Sequence, residues 1–233
     1  MARTAKQQTG KARGKPRSAP VLQHSRTPSS LPRPAVFIDR DGTLNEMVYD
    51  DAHGLMDSPR KPAQVRMIRN AGKFLRAVGK LGYVRVVVTN QPGMAKGTLT
   101  LEGLAAVNRR LAGLVEKEGG YWDDIRFCPH HPKVAQGPGR AYRRRCACRK
   151  PLPGMLLEAA AEHGIDLRSS WMVGDGLNDV QAGNAAGCKT ILISRLKIDQ
   201  VAKFFELKHG MPSAIARDLN EALRIIRRAT RKR

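Results

Sequence analysis

The run Val36-Phe37-Ile38-Asp39-Arg40-Asp41-Gly42-Thr43 constrains this chain more than any other stretch. Three apolar residues read as a buried strand that stops abruptly at two carboxylates two positions apart, followed by a glycine and a hydroxyl. Residues i and i+2 of a strand point to the same side. Asp39 and Asp41 are therefore expected to leave the sheet together at its carboxyl end, where open α/β sheets bind ligands. Crowded acids resist ionising unless a cation or a shared proton relieves the repulsion. A hard divalent ion such as Mg²⁺ relieves it, and one carboxylate can then attack a phosphoryl group while the other moves the leaving-group proton. A solvated Asp-Gly turn is the plainer alternative, so the rest of the chain has to decide.

Strand and helix patterns alternate after that run, which predicts an α/β fold: a Rossmann-like, doubly wound parallel sheet. Residues 45–62 show no sustained period and suit an active-site loop or small cap. Residues 65–82 carry a helical apolar stripe through Ile68, Ala71, Leu75, Val78 and Leu81, ending at Gly82. A β-branched strand from Val84 closes on Thr89-Asn90-Gln91-Pro92-Gly93, where a hydroxyl and an amide at the strand's carboxyl end can both hydrogen-bond a phosphate oxygen. Thr100 caps a helix with Leu104, Val107, Leu111 and Val115 inward, and residues 121–127 read as a third strand. A helix over 153–164 and a strand at Trp171-Met172-Val173-Gly174-Asp175 follow. Asp175 is placed to complete an oxygen shell around a metal held by Asp39, with Asp179 one turn later orienting it. The strand Lys189-Thr190-Ile191-Leu192-Ile193 and a last helix over 212–228 complete the pattern, with Cys188 a small buried residue.

Cys128-Pro129-His130-His131-Pro132 and Cys146-Ala147-Cys148 bring four soft or borderline ligands together from two short segments. Cys128, His130, Cys146 and Cys148 suit a tetrahedral structural Zn²⁺ that pins a polar loop, His131 being the alternative to His130. Arg149 and Lys150 follow directly, where cations would neutralise a transferred phosphoryl group.

The formal net charge of +22 is unevenly spread: residues 1–34 hold eight Lys or Arg and no acid. Residues 1–34 read as a disordered basic leader, 35–229 as the folded domain and 230–233 as a basic tail. Such arms bind polyanions non-specifically by counterion release, so loose nucleic-acid contact is expected without being the main function; no aromatic residue interrupts the leader to stack on bases. Neither an apolar signal region nor a stretch of about 18 apolar residues is present, so no membrane insertion is expected. Four cysteines, three of them clustered, indicate a metal site in a reducing compartment rather than a disulfide framework. A cytoplasmic monomer is expected.

In this order the motifs resemble the haloacid dehalogenase (HAD) superfamily. Val88-Thr89-Asn90-Gln91, the Cys-Pro-His-His-Pro run and Cys146-x-Cys148-Arg149-Lys150-Pro151 are similar, within it, to the heptose bisphosphate phosphatases and the related histidinol-phosphate phosphatases. The resemblance covers residues 35–195. It implies a fold without a large cap, Asp39 as the nucleophile that forms an aspartyl-phosphate, and Asp41 as general acid then base. It implies further that Thr89 and Lys150 hold phosphate oxygens, that Asn90 and Arg149 contact substrate, and that Asp39, the Asp41 carbonyl and Asp175 bind Mg²⁺. Cys128, His130, Cys146 and Cys148 would bind Zn²⁺. The implied substrate is a small phosphorylated sugar, a heptose 1,7-bisphosphate losing its 7-phosphate. The alternatives are histidinol phosphate, or a nucleic-acid 3′-phosphatase that uses the basic tails. Two departures bear on substrate choice: Gly176 stands where the heptose enzymes carry a basic residue, and residues 45–57 match them poorly.

Overall fold

A computed structural model describes residues 32–51, 54–133, 138–196, 200, 201, 203 and 210–231. The basic leader, apart from residues 32–34, and the last two residues lie outside the described residues. In chain order the elements are β1 (Ala35–Ile38), β2 (Val48–Asp50), β3 (Leu55–Asp57), α1 (Ala71–Lys80), β4 (Val84–Asn90), α2 (Gly93–Lys96) and α3 (Leu101–Lys117). Then follow β5 (Asp124–Cys128), α4 (Gly154–His163), β6 (Trp171–Gly174), α5 (Leu177–Ala185), β7 (Lys189–Ile193), β8 (Ala214–Ala216) and α6 (Leu219–Thr230).

Six parallel strands form the main sheet in the order β5-β4-β1-β6-β7-β8, and β2 pairs with β3 in a separate antiparallel hairpin. The chain runs outward from β1 in both directions, so β1 is the switch point, and the crevice at its carboxyl end is where such sheets take ligands. All four residues of β1 are fully buried, because helices cover both faces. Val36 and Ile38 face one layer with Phe74, Leu75 and Val78 of α1, Val107 and Leu111 of α3 and Ile226 of α6. Ala35 and Phe37 face the other with Met155 and Leu156 of α4 and Ala182 of α5. Each large side chain buried this way contributes about 1.5–3 kcal/mol, and the period-2 alternation of β1 fixes its register.

Local signals set the helix limits. Thr100 Oγ1 accepts from the Gly103 amide at 3.0 Å and starts α3, while Gly164 at φ 60° ends α4. Three expectations shift. The helix anticipated over 65–82 begins only at Ala71, because Asn70 takes a left-handed φ of 66° and the Ile68 amide is drawn to the Leu44 carbonyl at 2.9 Å. The third strand lies at Asp124–Cys128 rather than 121–127. The helix anticipated from 212 starts at Leu219, because Ala214–Ala216 pair with β7 as a sixth strand before Asp218 caps the helix.

Candidate active site

Three strand ends converge. The Asp39 amide continues the β1–β6 ladder by donating to the Val173 carbonyl at 2.9 Å, and the chain then turns sharply, with Thr43, Leu44 and Asn45 amides folding back onto the Arg40 carbonyl. Asp39 Oδ1 accepts from Lys150 Nζ at 2.7 Å. The same ammonium reaches Asp179 Oδ1 at 2.6 Å and the Val88 carbonyl at 2.8 Å, so all three of its protons are used. Lys150 is buried, and burial alone would lower its pKa; the Asp179 and Asp39 charges overcome this and raise it. For Asp39 the balance is opposite: burial raises its pKa well above the usual carboxylate range despite Lys150, and the Asp179 and Asp41 charges add to it. Burial and Asp179 raise Asp175 as well.

Asp39, Asp175 and Asp179 can each present a carboxylate oxygen within 4.8 Å of the others. Three acids against one ammonium leave excess negative charge, and their hard oxygens fit Mg²⁺. Both Asp179 oxygens are engaged, one by Lys150 and the other by the Gly176 amide at 3.0 Å. Asp39 and Asp175 are less constrained and could each turn an oxygen to a metal. Two glycines make room: a Cβ on Gly42, at φ 90°, would lie 2.0 Å from Asp175 Oδ2, and one on Gly174 would lie 2.3 Å from Asp179 Oδ2.

The side chain of Asp41 does not join this group. β1 ends at Ile38, so the alternation that would have aimed both carboxylates together no longer applies at residue 41. Asp41 instead accepts from Arg40 through two guanidinium nitrogens (3.0 and 2.9 Å), from Asn45 (3.0 Å), Ser58 (2.9 Å), Gln91 (2.7 Å) and Thr89 Oγ1 (3.3 Å). Burial opposes ionisation here, but the Arg40 charge and these hydrogen bonds prevail and lower the pKa. Arg40 is itself fully buried, with its other arm on Asn108 Oδ1 at 2.7 Å. Arg40, Asn45, Ser58 and Asn108 are not singled out by the sequence. A cation between two acids was a readable signal for Arg40; nothing in the sequence marks Ser58, which reaches the site from beyond the β2–β3 hairpin. That hairpin borders a cavity of about 270 Å³ lined by Tyr49, Asp50, Asp57, Ser58, Arg60 and Gln64, where Arg60 holds Asp50 at 2.6 Å and Asp57 at 2.8 Å.

Thr89 sits beside Asp41. Asn90 pairs with the Lys150 peptide: its Oδ1 accepts from the Lys150 amide at 3.1 Å and its Nδ2 donates to the Lys150 carbonyl at 3.0 Å. Arg149 donates to the His130 carbonyl at 3.2 Å. Upstream, the sulfur and nitrogen atoms of Cys128, His130, Cys146 and Cys148 gather, with separations of 3.2–3.6 Å among the pairs in contact. The edge of a tetrahedron with metal–sulfur bonds of about 2.3 Å is about 3.8 Å, so the cage is of Zn²⁺ size, and the cysteines form no disulfide. Burial lowers the His130 pKa, with the Arg144 charge acting the same way, and so favours the neutral imidazole a metal needs. His131 Nδ1 instead accepts from the Lys133 amide. Among the described residues no helix is long and apolar enough to cross a membrane.

Residues 147–222 match the HAD-hydrolase-like family model. The chain is 37% identical over 161 residues to the D-glycero-β-D-manno-heptose-1,7-bisphosphate 7-phosphatase of Rhodopseudomonas palustris, covering 69% of this chain and 83% of that enzyme. Against the enzyme of the same name from Escherichia coli it is 38% identical over 162 residues, covering 70% and 79%. Among solved structures, a HAD-like phosphatase from Mesorhizobium loti aligns with a TM-score of 0.70 at 31% identity over 90% of this chain and 91% of that one. The D,D-heptose 1,7-bisphosphate phosphatase of B. bronchiseptica, complexed with magnesium and phosphate, aligns with a TM-score of 0.68 at 27% identity over 84% and 99%. With the parallel sheet and its switch-point acids, these likenesses make the chain a member of the HAD-like hydrolases, in the heptose-1,7-bisphosphate 7-phosphatase family.

Proposed function

We propose that this chain is a Mg²⁺-dependent phosphomonoesterase that removes the 7-phosphate of D-glycero-D-manno-heptose 1,7-bisphosphate through an aspartyl-phosphate. The observation that carries the reading is the convergence of Asp39, Asp175 and Asp179 on the Lys150 ammonium at the switch point. Asp39, Asp175 and the main-chain carbonyl of Asp41 would hold Mg²⁺, which when bound supplies the charge that lets Asp39 stay ionised beside an incoming phosphate.

Asp39 attacks phosphorus, forming a carboxyl–phosphate bond as the bond to the sugar oxygen breaks, and Asp41 gives that oxygen its proton. Arriving negative charge favours proton uptake by Asp41 and offsets the Arg40 pair that otherwise keeps it ionised. In the second half the ionised Asp41 takes a proton from water, whose oxygen attacks the phosphoryl group, freeing phosphate and restoring Asp39. Thr89 and Lys150 hold the phosphoryl oxygens, Lys150 by turning the proton it gives Asp39 toward the phosphoryl group. Arg149 contacts the substrate, and Asn90 acts by fixing the Lys150 peptide. Sugar hydroxyls are read at the Asp50–Arg60–Asp57 cavity, which adjoins Asp41 through Ser58.

Cys128, His130, Cys146 and Cys148 bind a structural Zn²⁺ that sets the start of the Arg149-Lys150 segment. The reduced cysteine cluster suits the cytoplasm, and a monomer suffices, since one chain supplies every group named. Phosphate release from heptose 1,7-bisphosphate and from histidinol phosphate, with and without Mg²⁺, tests the reading. The heptose should be strongly preferred with Mg²⁺, and Asp39→Asn should abolish turnover. Turnover retained by Asp39→Asn would sink the mechanism; turnover of neither named substrate, with a generic phosphomonoester accepted, would sink the substrate assignment alone.

A further inference from the structure

The catalytic groups lie at the carboxyl ends of the strands; the opposite pole carries a different chemistry. There β1, β4, β6 and β7 begin at Ala35, Val84, Trp171 and Lys189. The end of α6 is fastened to this pole, since Tyr83, just before β4, and Thr230 share a hydroxyl hydrogen bond of 2.9 Å. Arg33 bridges to Ile165, so the leader also joins the domain here. Exposed at this pole are Lys80, Arg168, Lys189, Arg227, Arg228 and Arg231. Of the nearby acids, Asp123 is held by Arg85, and Asp124 and Glu162 by Arg126, while Asp166 lies at this pole and accepts from the Arg168 amide at 3.1 Å. Among the described residues, none of the six cations is in an ion pair with a carboxylate.

Cations at helix ends complement the helix dipole, but three arginines in the last turn of α6 and beyond it exceed that need. They lie at one end of four adjacent strands, roughly 15 Å across at about 4.8 Å per strand. The apolar side of α6 is committed to the core through Leu219, Ala222 and Ile226, which leaves no apolar face to enter a lipid interface. Arginine pairs bidentately with phosphate. We propose that this pole is a docking surface for the phosphate backbone of double-stranded nucleic acid, read without base specificity, and that the enzyme works while docked because its catalytic crevice faces away.

The test is fluorescence anisotropy of the full chain with a labelled DNA duplex of about 20 base pairs, from about 50 to about 200 mM salt, where six phosphate contacts weaken affinity roughly 10³-fold. The triple variant Arg227→Glu, Arg228→Glu, Arg231→Glu should flatten the slope of log affinity against log salt by about 2.7, and Arg168→Glu with Lys189→Glu by about 1.8. Phosphatase turnover should be unchanged in both, which verifies their folding, and unchanged with saturating duplex. Unaltered slopes in both variants, inhibition of turnover by duplex, or a preference for phosphatidylserine vesicles over duplex would each overturn the proposal. This inference is independent of the substrate assignment, because duplex binding and phosphate release are read separately.

Discussion

Replacing Lys150 by Met tests how the site balances its charges. Met keeps the length and apolar stem but removes the ammonium that holds Asp39 Oδ1 at 2.7 Å and Asp179 Oδ1 at 2.6 Å. Two buried carboxylates then lose their cation, and the Val88 carbonyl loses its donor. Breaking a buried ion pair by removing one partner costs about 3–5 kcal/mol. For a domain of this size each kcal/mol corresponds to about 2–4 °C, so Tm should fall by about 6–20 °C in metal-free buffer. Mg²⁺ is then the one remaining cation for Asp39 and Asp175. Its addition at about 100 times Kd restores about 2.7 kcal/mol, and the gain should exceed that of the unsubstituted chain. Thermal scans over a Mg²⁺ titration read this directly; metal-depleted buffer, rather than a strong chelator, spares the cysteine cluster. Turnover should fall at least about 10²-fold, because a charged phosphate donor has gone. A variant whose metal-free Tm stays within about 2 °C of the parent would refute the reasoning, since the ammonium would then not be what compensates the acids.

Cys148→Ser should destabilise the loop and lower turnover at least about 10-fold, with excess Zn²⁺ failing to restore either; bound zinc by elemental analysis and Tm check it. Gly42→Ala should abolish activity, because its Cβ would overlap the Asp175 carboxylate and the residue sits at φ 90°. Gly113→Ala, in α3 with open space around its Cβ, should instead raise stability by about 0.5–1 kcal/mol at unchanged kcat; a Tm decrease would contradict it. Asn90→Ala should lower kcat more than it raises KM, because it frees the Lys150 peptide rather than a substrate contact.

The buried strands were legible because each is a short apolar run ending in chemistry, and the cysteine cluster because ligand spacing within a tight turn leaves few arrangements. The divergence of Asp39 and Asp41 was not, since it depends on β1 ending one residue before the first acid and on a turn closed by the Arg40 carbonyl. The sequence offers Asp179 as an orienter of metal; its ion pair with Lys150, a residue 29 positions earlier, is visible only in the structure. Asn90 could be read only as a polar group at a strand end, because its partner is a backbone amide that sequence does not display. β8 is hidden inside a helical pattern: Ile215, within the last helix expected over 212–228, belongs to the strand before it.

The reciprocal pair between the Asn90 side chain and the Lys150 backbone has a consequence for how this chain can vary. It ties the residue that follows the cysteine cluster to the end of β4, so two separate anchors bracket the Arg149-Lys150 step. The segment between His131 and Cys146 therefore need not transmit position to Lys150. Doubling the length of such a loop costs only about 0.6 kcal/mol in closure entropy. Length can vary there at little cost as long as Gly139 and Tyr142 keep their places against α2, while the Lys150 ammonium stays on Asp39 and Asp179.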